Sequence, residues 1–191
     1  MTKAFYEDEN FKQIEFQNQK LPQAEYENCA FLDCNFTDAD LSESLFLDCR
    51  FENCNFSNAR IGKTAFRAIV FESCKLIGLR FEDCNPFLFS VNFRNCQLDF
   101  SSFYQCKLKA TSFISTSLKE VDFTEADLNK AQFKDCDLSR AVFMHSNLEQ
   151  TDFRTSYNYS LDPELNRMQK AKFSRAEVIG LLSKYPIEIG N

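Results

Sequence analysis

From Leu88 to Phe153 every fifth residue is Leu or Phe. The positions are Leu88, Phe93, Leu98, Phe103, Leu108, Phe113, Leu118, Phe123, Leu128, Phe133, Leu138, Phe143, Leu148 and Phe153. Two residues before each, the side chain is mostly small or β-branched, as at Val91, Cys96, Ser101, Thr111, Ala126 and Thr151. The other three positions are mostly polar. A helix turns about 100° per residue, so a period of five would scatter around it. A strand alternates its faces, so residues five apart would point to opposite sides. The pattern fits a chain that turns a corner every five residues. Positions i and i−2 then share the inner side of a short extended segment. Repetition of this kind predicts an all-β solenoid. Leu and Phe alternate strictly, so like lies on like if residues 20 apart stack, which four sides per coil would give.

An earlier, less uniform run has its i positions at Phe11, Phe16, Leu21, Tyr26, Phe31, Phe36, Leu41, Phe46, Phe51, Phe56, Ile61, Phe66, Phe71, Leu76 and Phe81. Between Phe81 and Leu88 the register slips by two residues, at Asn85-Pro86. Proline cannot donate to a sheet ladder. The slip predicts a break near 84–89 between coil stacks of about 11–83 and 88–157. The plainer reading is a kink; the other is a small loop presenting Phe87 or Phe89 to a partner.

The pattern divides the chain into a repeat domain, 1–157, and a capping segment, 158–191. In the cap, Met168 and Phe173 re-enter the register as a degenerate last coil. Ser174-Arg175-Ala176-Glu177 reads as a capping box, and Val178, Leu181, Leu182 and Tyr185 fall on one helical face. A short C-terminal α-helix is expected, stopped by Pro186. Ile179, Ile187 and Ile189 widen the apolar surface, so these seven residues form the expected dimer interface.

Composition adds little to the fold and more to the chemistry. Most of the 22 phenylalanines occupy inner positions. The nine cysteines fall at i−2 with no C-x-x-C spacing, so they read as small buried hydrophobes. No metal and no cofactor are expected. The one histidine, His145, sits at an outward corner with no nucleophile to pair with. Phosphate-binding and calcium loops are missing, and the chain reads as a non-enzyme. No apolar run approaches the roughly 18 residues of a membrane span, and Met1–Glu9 has no secretory h-region. A cytoplasmic protein without membrane contact is expected, and free thiols agree with a reducing compartment.

Charge is the remaining lead. The net charge is −6, and the acidic surplus lies in the repeats. An acidic rod repels nucleic acid and prefers basic partners. No direct nucleic-acid binding is therefore expected. The candidate partner surface comprises Asp33, Asp38, Asp40, Asp48, Glu52, Glu72, Glu82 and Asp83. One column runs the other way: Arg94, Lys134 and Arg154 share a face, with Ile114 among them.

Units such as Ala39-Asp40-Leu41 and Ala126-Asp127-Leu128 resemble those of the pentapeptide-repeat proteins. The resemblance implies a right-handed, quadrilateral (four-sided) parallel β-helix. The two-part stack, the central break and the ending Asp162-Pro163…Asn166 with its hydrophobic tail are similar to the topoisomerase-directed branch. That branch holds quinolone-resistance, gyrase-interacting and microcin-immunity proteins. It implies a dimeric DNA mimic that binds DNA gyrase or topoisomerase IV and modulates it or protects it from quinolones or peptide toxins. The chain lacks the long projecting loops of the quinolone-resistance members. The alternative is a general interaction scaffold or regulatory module with a different partner.

Overall fold

The computed structural model describes residues 4–188. Among the described residues, eleven short strands form two parallel sheets. One contains β1 (Ala4–Glu7), β3 (Ala24–Glu27), β5 (Leu45–Leu47) and β7 (Ala65–Arg67). The other contains β2 (Asn10–Lys12), β4 (Ala30–Leu32), β6 (Arg50–Glu52), β8 (Ile69–Glu72), β9 (Val91–Arg94), β10 (Ser112–Ile114) and β11 (Gln132–Lys134). Partners such as Phe31 and Phe51 lie 20 residues apart, so four pentads make one turn. Isolated parallel bridges, such as Asn35 with Asn55 and Asp40 with Arg60, carry the same offset along the remaining segments. The result is an all-β parallel solenoid of about seven turns.

Inner positions fill as the pentad pattern requires. Phe113 has no exposed surface, and its ring stacks between Phe93 at 5.2 Å and Phe133 at 4.8 Å. Stacked rings on one side meet rings two pentads on edge-on, as Phe113 meets Phe123 at 5.9 Å. Both geometries suit the aromatic quadrupole. At i−2, eight of the nine cysteines are buried and Cys106 is half-buried, all as free thiols. The Cys74 Sγ lies 3.4 Å from the Phe51 carbonyl oxygen of the coil before. Thr64, Ser101, Ser146 and Thr151 use their hydroxyls in the same way at other i−2 positions. Small polar side chains thus find backbone acceptors inside an apolar rod, which removes most of the cost of burying them.

The corner residue at i+2 is left-handed along the rod. Asp33, Asp38 and Asp48 have φ of 55°, 54° and 52°. Asn and Asp tolerate this region better than other side chains with a Cβ, which explains their frequency at the corners.

Two expectations are corrected. Leu88 does not begin the second inner ladder: it is a left-handed corner, φ 57°, and 65% exposed. The first register continues through Cys84 and Pro86 to that corner, and Phe89 and Ser90 are the extra pair. Pro86 is exposed, and Phe89 packs against the core instead. Its ring meets Phe81 edge-on at 6.3 Å. Despite the slip, Phe71 still pairs with Phe93, so the ladder passes the break intact.

The second correction concerns the C-terminus. No α-helix forms among the described residues; Val178–Leu181 make a 3-10 turn. Half of the capping box exists, since the Glu177 N–H donates to Ser174 Oγ at 3.2 Å. The Glu177 carboxylate, however, accepts from the Asn158 N–H at 3.3 Å rather than returning to Ser174. The Gly180 carbonyl takes the Leu161 N–H at 3.0 Å. These tertiary bonds divert the groups that a helix would use, and Gly180 has poor helix propensity. The degenerate last coil does form: Phe173 stacks on Phe153 at 5.4 Å.

Candidate functional site

The core leaves three outward regions to consider: the acidic corners, the break and the cap. The sequence-predicted acidic residues do not converge on one face. Glu52 and Glu72 are neighbours in register on β6 and β8, and Glu82 and Asp83 share a short 3-10 turn. Asp33, Asp38 and Asp48 stand at three different corners. Several are partly neutralised. Arg60 approaches Asp40 at 3.7 Å, Arg50 approaches Glu52 at 3.6 Å, and Arg80 serves both Glu82 at 3.2 Å and Asp83 at 3.5 Å. Asp40 is held below the ordinary carboxylate range, chiefly by the hydrogen bond from Ser42 and then by Arg60.

Acidity is nevertheless graded along the rod. Residues 4–63 carry twelve acidic against five basic side chains. On the outward column after the inner Phe of the long sheet, the order is Lys12, Leu32, Glu52, Glu72, Arg94, Ile114, Lys134, in register. At the break its acidic pair gives way to basic side chains.

The break presents an apolar waist that sequence reasoning saw only in part. Phe87 is 62% exposed, with the Arg67 guanidinium 5.1 Å from its ring centre. Phe100, two corners onward and so across the rod from Phe87, is 60% exposed at φ 62°. A bulky aromatic in the left-handed region is a genuine outlier. Phe100 obeys the pentad spacing as an ordinary outer residue, so nothing but its size marks it in the sequence. A cleft of about 350 Å³ opens beside the break, lined by Glu82, Pro86, Phe89 and Tyr104 among others. The Glu82 Oε2 in its wall is buried and has no hydrogen-bond partner among the described residues.

On the cap, Val178, Ile179, Leu182, Tyr185 and Ile187 are exposed, while Leu181 turns inward against the core. The 3-10 geometry spreads the expected stripe around the turn. Ile189 lies outside the described residues. A small apolar hollow between Pro163 and Tyr185 includes Val178 and Leu182 in its wall.

Chemistry is sparse. His145 is an exposed corner. Burial pushes the thiols of Cys49, Cys106 and Cys136 up to about 12, which keeps them protonated and poorly nucleophilic. Among the described residues no three His, Cys, Asp or Glu side chains gather to hold a metal ion. No helix among them is long and apolar enough to cross a membrane.

Comparison with known proteins agrees with this architecture. Residues 87–158 match the family described as a pentapeptide repeat region, and residues 34–72 match pentapeptide repeats. Together these cover more than half of the chain. No curated sequence matches it. Among solved structures, a trypsin-treated form of QnrB1, a plasmid-mediated fluoroquinolone resistance protein, is 20% identical. It aligns over 98% of both chains with a TM-score of 0.56. HetL, a pentapeptide repeat protein involved in heterocyst differentiation regulation from the cyanobacterium Nostoc, is 13% identical. It aligns over 90% of this chain and 86% of its own, with a TM-score of 0.48.

Proposed function

The chain belongs to the pentapeptide-repeat family, and from that premise we propose that it is a non-enzymatic ligand of a type II topoisomerase. The partner is DNA gyrase or topoisomerase IV, and the rod stands in for duplex DNA in the enzyme's DNA-binding surface. The observation that carries this reading is the acidic excess of residues 4–63 on a solenoid of fixed width. An acidic surface of set spacing offers a basic DNA-binding groove the charge it expects. The likeness of the fold to trypsin-treated QnrB1, over 98% of both chains, supports it. The finer architecture that goes with the reading is a right-handed, four-sided β-helix of residues 1–157, in two stacks. A cap of residues 158–191 joins two protomers through Val178, Ile179, Leu181, Leu182, Tyr185, Ile187 and Ile189. The acidic contacts are Asp33, Asp38, Asp40, Asp48, Glu52, Glu72, Glu82 and Asp83. The protein acts in the cytoplasm, without cofactor, membrane contact or direct nucleic-acid binding, and modulates the enzyme or shields it from quinolones or peptide toxins.

The test is a supercoiling assay with purified gyrase and topoisomerase IV, with and without a quinolone. Micromolar protein is expected to lower supercoiling or to restore it in the drug's presence. No change in either enzyme under either condition would refute the proposal.

A second reading has its own observation. The exposed Phe87 and Leu88 at the break favour docking to a different protein, with the rod as a regulatory scaffold. Loss of an otherwise stable complex on Phe87→Ser, with topoisomerase unaffected, would favour that reading.

A further inference from the structure

The basic column noted in the sequence is only part of a larger feature. A corner column next to it also changes sign along the rod. It begins with Asp8, Asn28 and Asp48 and ends with Lys130, Gln150 and Lys170, all left-handed. Beyond the break, the two columns bring basic side chains onto one edge of a molecule whose net charge is −6.

Two adjoining clefts lie on that edge. One, of about 340 Å³, includes Lys134, Arg154 and Asp152 in its wall. The other, of about 310 Å³, includes Lys130, Lys170, Lys172 and again Asp152. Asp152 is the single carboxylate in either wall, and it is already engaged. It accepts from both the backbone N–H and the guanidinium of Arg154, most closely at 2.7 Å, and Lys172 stands 3.9 Å away. Arg154 and Lys172 hold its carboxyl below the ordinary range, the Arg154 hydrogen bond most of all. Lys130, Lys134 and Lys170 form no ion pair among the described residues. Five cations therefore line two clefts whose walls hold a single carboxylate.

Like charges gathered this way repel, and a bound polyanion relieves the repulsion. Neither cleft exposes an aromatic ring, since its one aromatic, Phe133, is 1% exposed. An aromatic platform for a nucleobase is therefore missing from both walls. Lysine ammonium groups act on phosphate as mobile point charges, while Arg154 is fixed by Asp152. We propose that the edge formed by Lys130, Lys134, Arg154, Lys170 and Lys172 is a binding site for an oligophosphate chain. Recognition is of the phosphates alone. The site lies at the opposite end of the rod from the acidic half, so it does not depend on the topoisomerase reading.

The test is calorimetric titration of the full chain with sodium tripolyphosphate at 50 mM NaCl, with ATP, sodium sulfate and a short duplex DNA as further arms. Tripolyphosphate is expected to bind at least as tightly as ATP, and both far more tightly than sulfate at equal ionic strength. Each of Lys130→Gln and Lys170→Gln should weaken binding roughly threefold to fivefold, the range of a surface ion pair. Lys12→Gln, at the far end of the rod, should leave it unchanged. Binding should fade by 300 mM NaCl as screening shortens. Three results would overturn the proposal: no heat with tripolyphosphate, equal binding of sulfate, or binding of duplex DNA without tripolyphosphate. The last would make the edge a nucleic-acid surface instead. Because the probes contain no topoisomerase, failure here and failure of the supercoiling assay are separate outcomes.

Discussion

Gly180 rests directly on Tyr159: a Cβ built at Gly180 would overlap the Tyr159 carbonyl oxygen and lie 2.8 Å from its ring Cδ2. The same contact lets the Gly180 carbonyl accept the Leu161 N–H. The obstacle is backbone, which cannot rotate away as a flexible side chain would. Gly180→Ala should therefore lift the terminal turn from the last coil. The expected cost is about 1–3 kcal/mol, typical of overpacking. Thermal unfolding measures the loss, and limited proteolysis should show earlier cleavage after Arg175. An unchanged melting temperature would argue that the turn is not docked there in solution.

Docking of that turn should also depend on pH. Lys184 donates to Asp162 at 2.8 Å and lies 2.6 Å from Glu164. The Lys184 hydrogen bond holds Asp162 below the ordinary carboxylate range, and Asp162 followed by Glu164 raises Lys184. A depressed carboxylate contributes stability above its unfolded pKa of about 3.9, lost as pH falls through the folded value. A raised lysine contributes below its unfolded value of about 10.4, lost as pH rises through the folded one. The cap should stay fully docked between those limits and loosen first at the acid end. Hydrogen exchange of the Leu161 amide across pH reports it, and Lys184→Met should flatten the profile.

Phe100 holds a left-handed corner that Asn or Gly would occupy with less strain. Replacing it with Gly should raise stability by about 1 kcal/mol, the order of the penalty for a Cβ in that region. The expected sign is unusual for removing an aromatic, and a higher melting temperature checks it.

Inside the rod the expectation is the ordinary one. Phe113→Ala removes the middle ring of a stack and leaves a void between Phe93 and Phe133. A loss of about 3–5 kcal/mol is expected from buried aromatic truncations, measured by denaturant unfolding. Because each coil contacts only its neighbours, hydrogen exchange should speed most around that coil and least near Phe31.

The inner ladder was legible in the sequence because a solenoid repeats the same physical problem at every pentad. Phe93 through Phe153 could be placed inward from spacing alone. Leu88 could not, because two continuations of the pattern competed there. The outcome was set by Phe89, which packs against the core where Pro86 stays exposed. The terminal helix failed for a related reason. Val178, Leu181, Leu182 and Tyr185 have the right period, but Glu177 and Gly180 spend their polar groups on Asn158 and Leu161. The basic column at Arg94, Lys134 and Arg154 was visible in the sequence, yet its extension to Lys130 and Lys170 needed the corner geometry. The acidic residues showed the reverse: their number was evident, while their dispersal around the rod was not.

The extra pair Phe89–Ser90 has a consequence for how such a surface can change. Five residues inserted into the rod would advance every later side chain to the next face, scrambling any pattern that crosses the insertion. Twenty would keep the faces in phase and only lengthen the rod. Two residues placed after the Leu88 corner do neither: Glu72 still adjoins Arg94 across a gap of 22. The break is thus a joint that adds local shape without altering phase. The columns on either side of it keep their alignment, and each half is free to carry charge of its own sign.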